Sequence, residues 1–503
     1  MAPLLVVCIE GGDADLATSL IEAGKLPALA ELRRRGAAVT CDLGGDLVGP
    51  AHFTPLLTGG AVGDLGLAHF LELDPSTMSL RLRREGDLEP FWLHLPDRGR
   101  GCLALDVPDL HPHPESLADC ACCWHSFAPA HRPYVTSPEL EERLRVHAPP
   151  SIPSDPVRRY SLEEDRRASA RLVRSVAFRG RVVRELSEGR ETVVLGVHEL
   201  HSGLHRFGHN VLPHHWYRPY EPEPGLLTDV YEAADRALAP LLERYSEGAV
   251  AVVLGDGMRV GNRGDHLLED LLARAGLLTR RGAGVGAPGP LDERAWLTST
   301  ARRLVPESLR ERVATAILPR TAQLRLASRR FRDAYLWSET RMFPVPTWST
   351  GLLRANVRGR EATGVVEPGE LDALLEQATH LVLETRDADT GLPIARRVVR
   401  SREHFPGRRA DRFPDLMIEW GGARPARRAL HPLLGEWGGR PGAGHLWTQH
   451  SARSLVLLAG LGVRRLDGEL EQDALGLAPT LLALKGVAPP SSMAGHPWAD
   501  VLA

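Results

Sequence analysis

No stretch of the 503 residues approaches the roughly 18–20 consecutive apolar positions that a membrane-spanning helix needs. The apolar run from Leu4 to Ile9 is short and has no basic residue before it, so it does not read as a secretory signal. Neither sign of charge is in excess: 61 Lys and Arg face 64 Asp and Glu, for a formal net charge of -3. That balance speaks against a nucleic-acid-binding tail and against an acidic solvating tail. Lysine is confined to Lys25 and Lys485, a bias to which no function is attached. Six cysteines are too few for a disulfide framework in a chain of this length, and all lie in its first quarter. Cys120, Cys122 and Cys123, followed by Trp124 and His125, lack the spacing of a zinc ribbon, and a reduced structural role is expected of them. These absences lead to the expectation of a soluble cytoplasmic protein with no membrane partner. What the chain does have is 43% hydrophobic residues, enough for a sizeable core in one large domain or two to three smaller ones. It also has 21 histidines, unevenly spread.

The local pattern is α/β. Leu4 to Ile9 reads as a fully buried strand that stops at Glu10-Gly11-Gly12. A helix with Leu16, Leu20 and Ile21 on one face follows, with Gly24 as its stop, and Pro27 suits the first turn of the next. Ser161 and Glu164 form a candidate capping box ahead of a helix carrying Leu172, Val176, Val183 and Leu186, expected to break at Gly180. Thr192 to Val197, Ala249 to Leu254 and Leu455 to Ala459 read as further strands of the parallel-sheet type. Residues 281–400 differ: they open on a Gly/Pro-rich loop and continue in mixed short segments, and they read as a cap on a core formed by 1–280 and 401–503. Gly284 to Gly289 spells GxGxxG but follows Arg280-Arg281 and runs into Pro290. It therefore lacks the strand-to-helix setting of a dinucleotide fingerprint.

In open α/β sheets, ligands bind beyond the carboxyl ends of the strands. Glu10 follows the first strand, a histidine-rich segment follows the strand at 192–197, and Asp256 follows the strand at 249–254. His445 and His450 lie just before the late strand. His198, His201, His205, His209, His214 and His215 fall within 18 residues. His201 and His205 are one helical turn apart and can reach one ion, and imidazole suits zinc and other first-row metals.

These and further motifs resemble the alkaline phosphatase superfamily, in its type I phosphodiesterase and nucleotide pyrophosphatase branch. The resemblance spans nearly the whole chain: Glu10-Gly11-Gly12, Gly24-Lys25-Leu26-Pro27-Ala28-Leu29, Thr58-Gly59, Pro90-Phe91-Trp92 leading to Leu105-Asp106-Val107-Pro108, Arg354-x-Asn356-Val357-x-Gly359-Arg360-Glu361, Asp389-Thr390-Gly391-x-Pro393, Pro414-Asp415-Leu416 and Thr448-Gln449-His450. Glu199-x-His201-x-x-x-His205 resembles a bacterial subgroup of predicted phosphohydrolases. The resemblance implies a three-layer sandwich, with a mostly parallel central sheet flanked by helices and bearing a cap insertion.

It also implies a divalent-metal site, of zinc or manganese, acting on a phosphorylated small molecule. One ion would be held by His201, His205 and His450, with His445 competing for the late position and His201 standing where Asp is usual. A second, weaker site would use Glu10, where Asp is usual, and Asp256. Gly255-Asp256-Gly257-Met258 resembles Ser-Asp-His-Gly-Met with one residue lost, so a ligand His is missing. The nucleophile position, counted back from Thr58-Gly59, falls on Gly49, which offers no hydroxyl; Thr54 is the nearest one before Thr58. Glu199 is either an outer partner that orients a ligand His or a strand-end carboxylate. Two functions follow. One is a metal-dependent phosphoester hydrolase of the phosphodiesterase or pyrophosphatase type, with water activated by the ion in place of the missing hydroxyl. The other is a catalytically silent relative that binds a phosphorylated ligand or a protein partner. A transferase or mutase is a third, weaker reading.

Overall fold

The computed structural model describes residues 2–42, 47, 53–66, 71–82, 89–96, 101–108, 110, 118–126, 133–150, 152, 159–281, 320–346, 350–439 and 448–503. Strand β1 (Leu4–Glu10) is buried along its whole length. Because side chains alternate across a strand, Leu5, Val7 and Ile9 enter one core while Leu4, Val6 and Cys8 enter another. A strand buried on both faces needs a layer on each side. One layer is formed by α1 (Ala14–Glu22), α2 (Pro27–Arg35), α4 (Leu162–Leu186), α5 (Glu199–Phe207) and α6 (Gly225–Arg244). The other contains α3 (Phe53–Thr58) and the helix Leu477–Leu484. The result is a three-layer sandwich, as expected.

Among the described residues the central sheet has nine strands. Besides β1 they are β2 (Ala37–Asp42), β3 (Cys102–Leu105), β4 (Asp119–Cys122), β5 (Tyr134–Val135), β6 (Thr192–Val197), β7 (Ala249–Gly255), β14 (Arg453–Gly460) and β15 (Glu469–Glu471). Their order is β15-β2-β14-β7-β1-β6-β3-β4-β5. Two strands run against the rest. Edge strand β5 is antiparallel to β4, and β14 is antiparallel to both β2 and β7. The late strand is thus not of the parallel type expected. Burial on both faces makes a strand uniformly apolar, and that pattern carries no sign of direction. The reversal matters for the site: residues that precede β14 sit at the same sheet edge as residues that follow β1, β6 and β7.

A two-stranded ribbon fixes that edge further. β8 (Met258–Val260) pairs antiparallel with β13 (Thr448–His450), setting Met258 opposite His450. A separate core gathers Leu267 to Leu278, Phe331, Trp337 and an antiparallel four-stranded sheet of β9 (Met342–Pro344), β10 (Gly351–Ala355), β12 (Leu416–Trp420) and β11 (Ala395–Arg400). The segment 282–289, with its GxGxxG spelling, lies outside the described residues.

The capping box at Ser161 and Glu164 is formed, with both reciprocal hydrogen bonds. The expected break at Gly180 is absent: α4 runs 25 residues without interruption. A Cβ at Gly180 would sit 2.8 Å from that of Ala237 on α6, so the glycine permits close helix packing rather than a break. All six cysteines are buried. Among the described residues no helix is long and apolar enough to cross a membrane.

Candidate metal centre

Four strand ends converge. β1 ends on Glu10, β6 delivers His198 and the start of α5, β7 delivers Asp256, and the ribbon before β14 delivers His450. Gly11 makes the approach of α5 possible. Its φ is +73°, and a Cβ there would lie 2.6 Å from the Cα of His201. Asp256 also adopts a left-handed conformation, φ +50°, and its Oδ1 accepts the Gly11 N–H at 2.7 Å.

His201, His205 and His450 form a triangle of imidazoles with ring centroids 4.6, 4.7 and 4.6 Å apart. One nitrogen from each lies within 4.8 Å of the others. The hydrogen bonds fix which nitrogen is available. Nδ1–H of His205 donates to the Thr448 carbonyl at 2.8 Å, which leaves Nε2 as a lone-pair donor. Nδ1 of His450 lies 3.2 Å from the Asp256 carbonyl and 3.1 Å from Asp256 Oδ2, the same arrangement. Burial, reinforced by the neighbouring His201, pushes the His205 imidazole down to about 3. Burial with His205 and His201 holds His450 well below its ordinary value. Both rings are therefore neutral near pH 7, the state that ligates a cation. The donor set thus fits a divalent ion.

Glu10, His201 and Asp256 form a second group within 4.8 Å. Its carboxylates are already engaged. Glu10 Oε1 is 2.8 Å from His201 Nδ1, and Oε2 is bonded to His198 Nδ1. Burial opposes the charge on Glu10, but His201 and His198 outweigh it and hold the carboxyl well below the usual range. His198 Nε2 meets the Asp106 carbonyl at 2.7 Å. A ring held between a carbonyl and a carboxylate donates from both nitrogens, as an imidazolium. Burial works against that form, yet the Glu10 charge raises the His198 pKa above its ordinary value. The turn after Asp256 is closely packed. A Cβ at Gly257 would fall 2.7 Å from both Asp13 Oδ2 and Ser451 Oγ.

Behind the centre lies a fully buried ion network. Arg179 of α4 is 1% exposed. Its Nε donates to Glu199 Oε2 at 3.1 Å and its Nη1 to Asp106 Oδ2 at 3.1 Å. Ser175, one turn earlier, donates to Glu199 Oε1 at 2.8 Å. Asp106, at φ +47°, also accepts the N–H groups of Trp124 and His125 at 2.7 and 2.8 Å. The Glu199 carboxylate is thus held by Arg179 and Ser175.

Of the residues singled out by sequence, Glu10, His201, His205, Asp256 and His450 come together. Thr54 is fully buried in the first turn of α3, where its carbonyl accepts the Thr58 hydroxyl at 2.7 Å. Gly49 and His445 lie outside the described residues. Sequence reasoning assigned no role to Asp106 or Arg179 and placed His198 only within the histidine cluster. His198 and Asp106 had a signal in being the first residues after strands. Arg179 had one in its i,i+4 spacing from Ser175.

No family model matches the chain, and no curated protein matches it. Solved structures do. Phosphonoacetate hydrolase from Sinorhizobium meliloti, in complex with phosphonoacetate, superposes with a TM-score of 0.52 at 12% identity over 96% of each chain. Murine ectonucleotide pyrophosphatase/phosphodiesterase 5 superposes with a TM-score of 0.50 at 11% identity over 100% of each chain. The chain shares the fold of these two structures. At such identities the likeness establishes the architecture alone, and the chemistry rests on the chain's own residues.

Proposed function

We propose that the chain is a metal-dependent phosphoester hydrolase of the phosphodiesterase or pyrophosphatase type. The observation that carries this reading is the triangle of His201, His205 and His450, in which His205 and His450 are neutral and have their tautomers set by backbone carbonyls. These three would hold a zinc or manganese ion. Such an ion, when bound, lowers the pKa of water and neutralises charge developing on phosphoryl oxygens. Glu10 and Asp256 would hold a second ion more weakly, because Glu10 must first give up its bond with His198. The imidazolium of His198 keeps a positive charge at that carboxylate in the meantime. The Arg179 network holds Asp106, and so the His198 ring, in place.

A second reading is supported by that same ion pair: a catalytically silent protein that binds a phosphorylated ligand. Metal analysis of the purified chain, with hydrolysis of bis-p-nitrophenyl phosphate under added zinc or manganese, separates the two. The hydrolase reading expects about one ion per chain and metal-dependent turnover. It expects His205→Ala to lose the ion and at least roughly 100-fold in rate. Turnover unchanged in His205→Ala, or none across a panel of phosphodiesters and pyrophosphates, would sink it. Thr54→Val is expected to leave turnover largely intact; complete loss with retained metal would make Thr54 the nucleophile.

A further inference from the structure

A cleft of about 520 Å³ opens between the central sheet and the antiparallel sheet of β9 to β12. From the core it is lined by Asp42 and by Ser451 to Arg453; from the other sheet, by Arg396, Arg397 and Glu419. Its lining begins one residue after His450. Ser451 follows His450 in the chain, and its N–H donates to the Gly257 carbonyl at 3.0 Å. Three residues of extended chain place the Arg453 backbone within roughly 11 Å of that of His450.

The two arginines of β11 are presented in an unusual way. Neighbouring residues of a regular strand face opposite sides of the sheet. Here the register of β11 against β12 shifts between Ala395 and Arg397, leaving Arg396 as the extra residue of a bulge. Arg396 Nη1 and Arg397 Nε then grip the same carboxylate, Glu419, at 2.9 and 2.7 Å. Glu419 is 7% exposed at its side chain, whereas Arg396 is 68% and Arg397 41% exposed. One guanidinium would neutralise the buried carboxylate, and the bulge supplies two. Arg453, 48% exposed, adds a third across the cleft, paired with Asp15 at 2.5 Å and with Glu469 at 3.6 Å. The lining contains no aromatic ring among the described residues, so it offers a planar base nothing to stack on.

We propose that this cleft is a substituent subsite, in which Arg396 and Arg397, with Arg453, bind an oxyanion carried by the substrate at the end remote from the reacting phosphoryl group. The inference rests on the hydrolase reading and narrows its substrate class to phosphoryl compounds that bear a second acidic group, a carboxylate or another phosphoryl group. Guanidinium forks match both in geometry.

The test uses the full chain loaded with zinc and calorimetric titration at low salt. The probes are n-alkylphosphonates of two to six carbons, the matching ω-carboxyalkylphosphonates and the matching α,ω-bisphosphonates. At one chain length the anion-ended probe should bind roughly 10–100-fold more tightly than the methyl-ended one. Which anion-ended series gains more identifies the substituent. Arg396→Ala, a change at an exposed side chain that leaves Glu419 paired with Arg397, should cut the gain to within about threefold, and Arg396→Lys should restore part of it. Alkylphosphonate affinity should stay the same in both. Equal affinity of methyl-ended and anion-ended probes at every length would overturn the subsite while leaving the metal reading intact. So would a preference that survives both Arg396→Ala and the double variant Arg396→Ala/Arg453→Ala. Failure of every phosphonate to bind the zinc-loaded chain would overturn both.

Discussion

At the scale of single residues, the chemistry of this protein rests on charges placed where water is absent. Arg179 is the clearest case. It holds Glu199 and Asp106 together with almost no exposure, so removing it leaves two buried carboxylates without a cation. Arg179→Met should lower stability by about 3–5 kcal/mol, read as a fall in the denaturant midpoint. A change below about 1 kcal/mol would show that the network is not needed. Buried histidines set the acid limit. Burial, followed by the Arg179 charge, pushes His125 down to about 4, against 6.5 in the unfolded chain. The unfolded state therefore takes up a proton that the folded state refuses as pH falls below 6.5. The stability held above 6.5 is lost progressively down to about 4, on the order of 3 kcal/mol for this residue. Urea titrations at pH 7 and pH 4.5 measure it, and His125→Gln should flatten part of the difference. The metal candidates His201 and His205 were legible because an i,i+4 pair on a helix puts two rings on one face. Arg179 was not, because an arginine in an amphipathic helix reads as polar surface until a carboxylate is found facing it.

Whole elements carry the close approaches on which those residues depend. α4 and α6 pack against each other through Gly180 and Ala237, with room for no added carbon. The sequence reads Gly180 as a break, since glycine is a poor helix former. The helix persists because its buried face, from Leu172 to Leu186, outweighs that propensity. Gly180→Val should cost about 1–3 kcal/mol through overpacking, and Ala237→Gly should recover part of it. Equal stability of Gly180→Val and the wild type in thermal unfolding would show that the contact yields freely. The β8–β13 ribbon plays the corresponding role at the centre. It pairs Met258 with His450 and so ties the segment after β7 to the segment before β14. A ribbon of three-residue strands has no periodicity to read, and no element was foreseen there.

For the whole molecule, the candidate ligands span the chain. Three imidazoles from positions 201, 205 and 450 would close a very long loop around one ion. Removing the ion with a chelator should lower the thermal midpoint by a few degrees, and zinc should restore it, because an ion at about 100 times its Kd adds roughly 2.7 kcal/mol to the folded state. An unchanged midpoint would exclude a tightly held structural or catalytic ion. The same span separates what each level of description decided. Short β-branched runs, glycine stops and a proline at a first helical turn depend on local sterics and hydrophobic burial, so the α/β class and most of the strands around the centre followed from the amino acids alone. His201 and His205 followed as well, being neighbours in one helix. The reversed direction of β14, the salt link between Glu10 and His198, and the bulge that turns Arg396 and Arg397 onto Glu419 are relations between segments far apart in the chain. Only tertiary structure could decide them, because burial makes both directions of a strand look alike and a charge reveals its partner only once the fold has brought the two together.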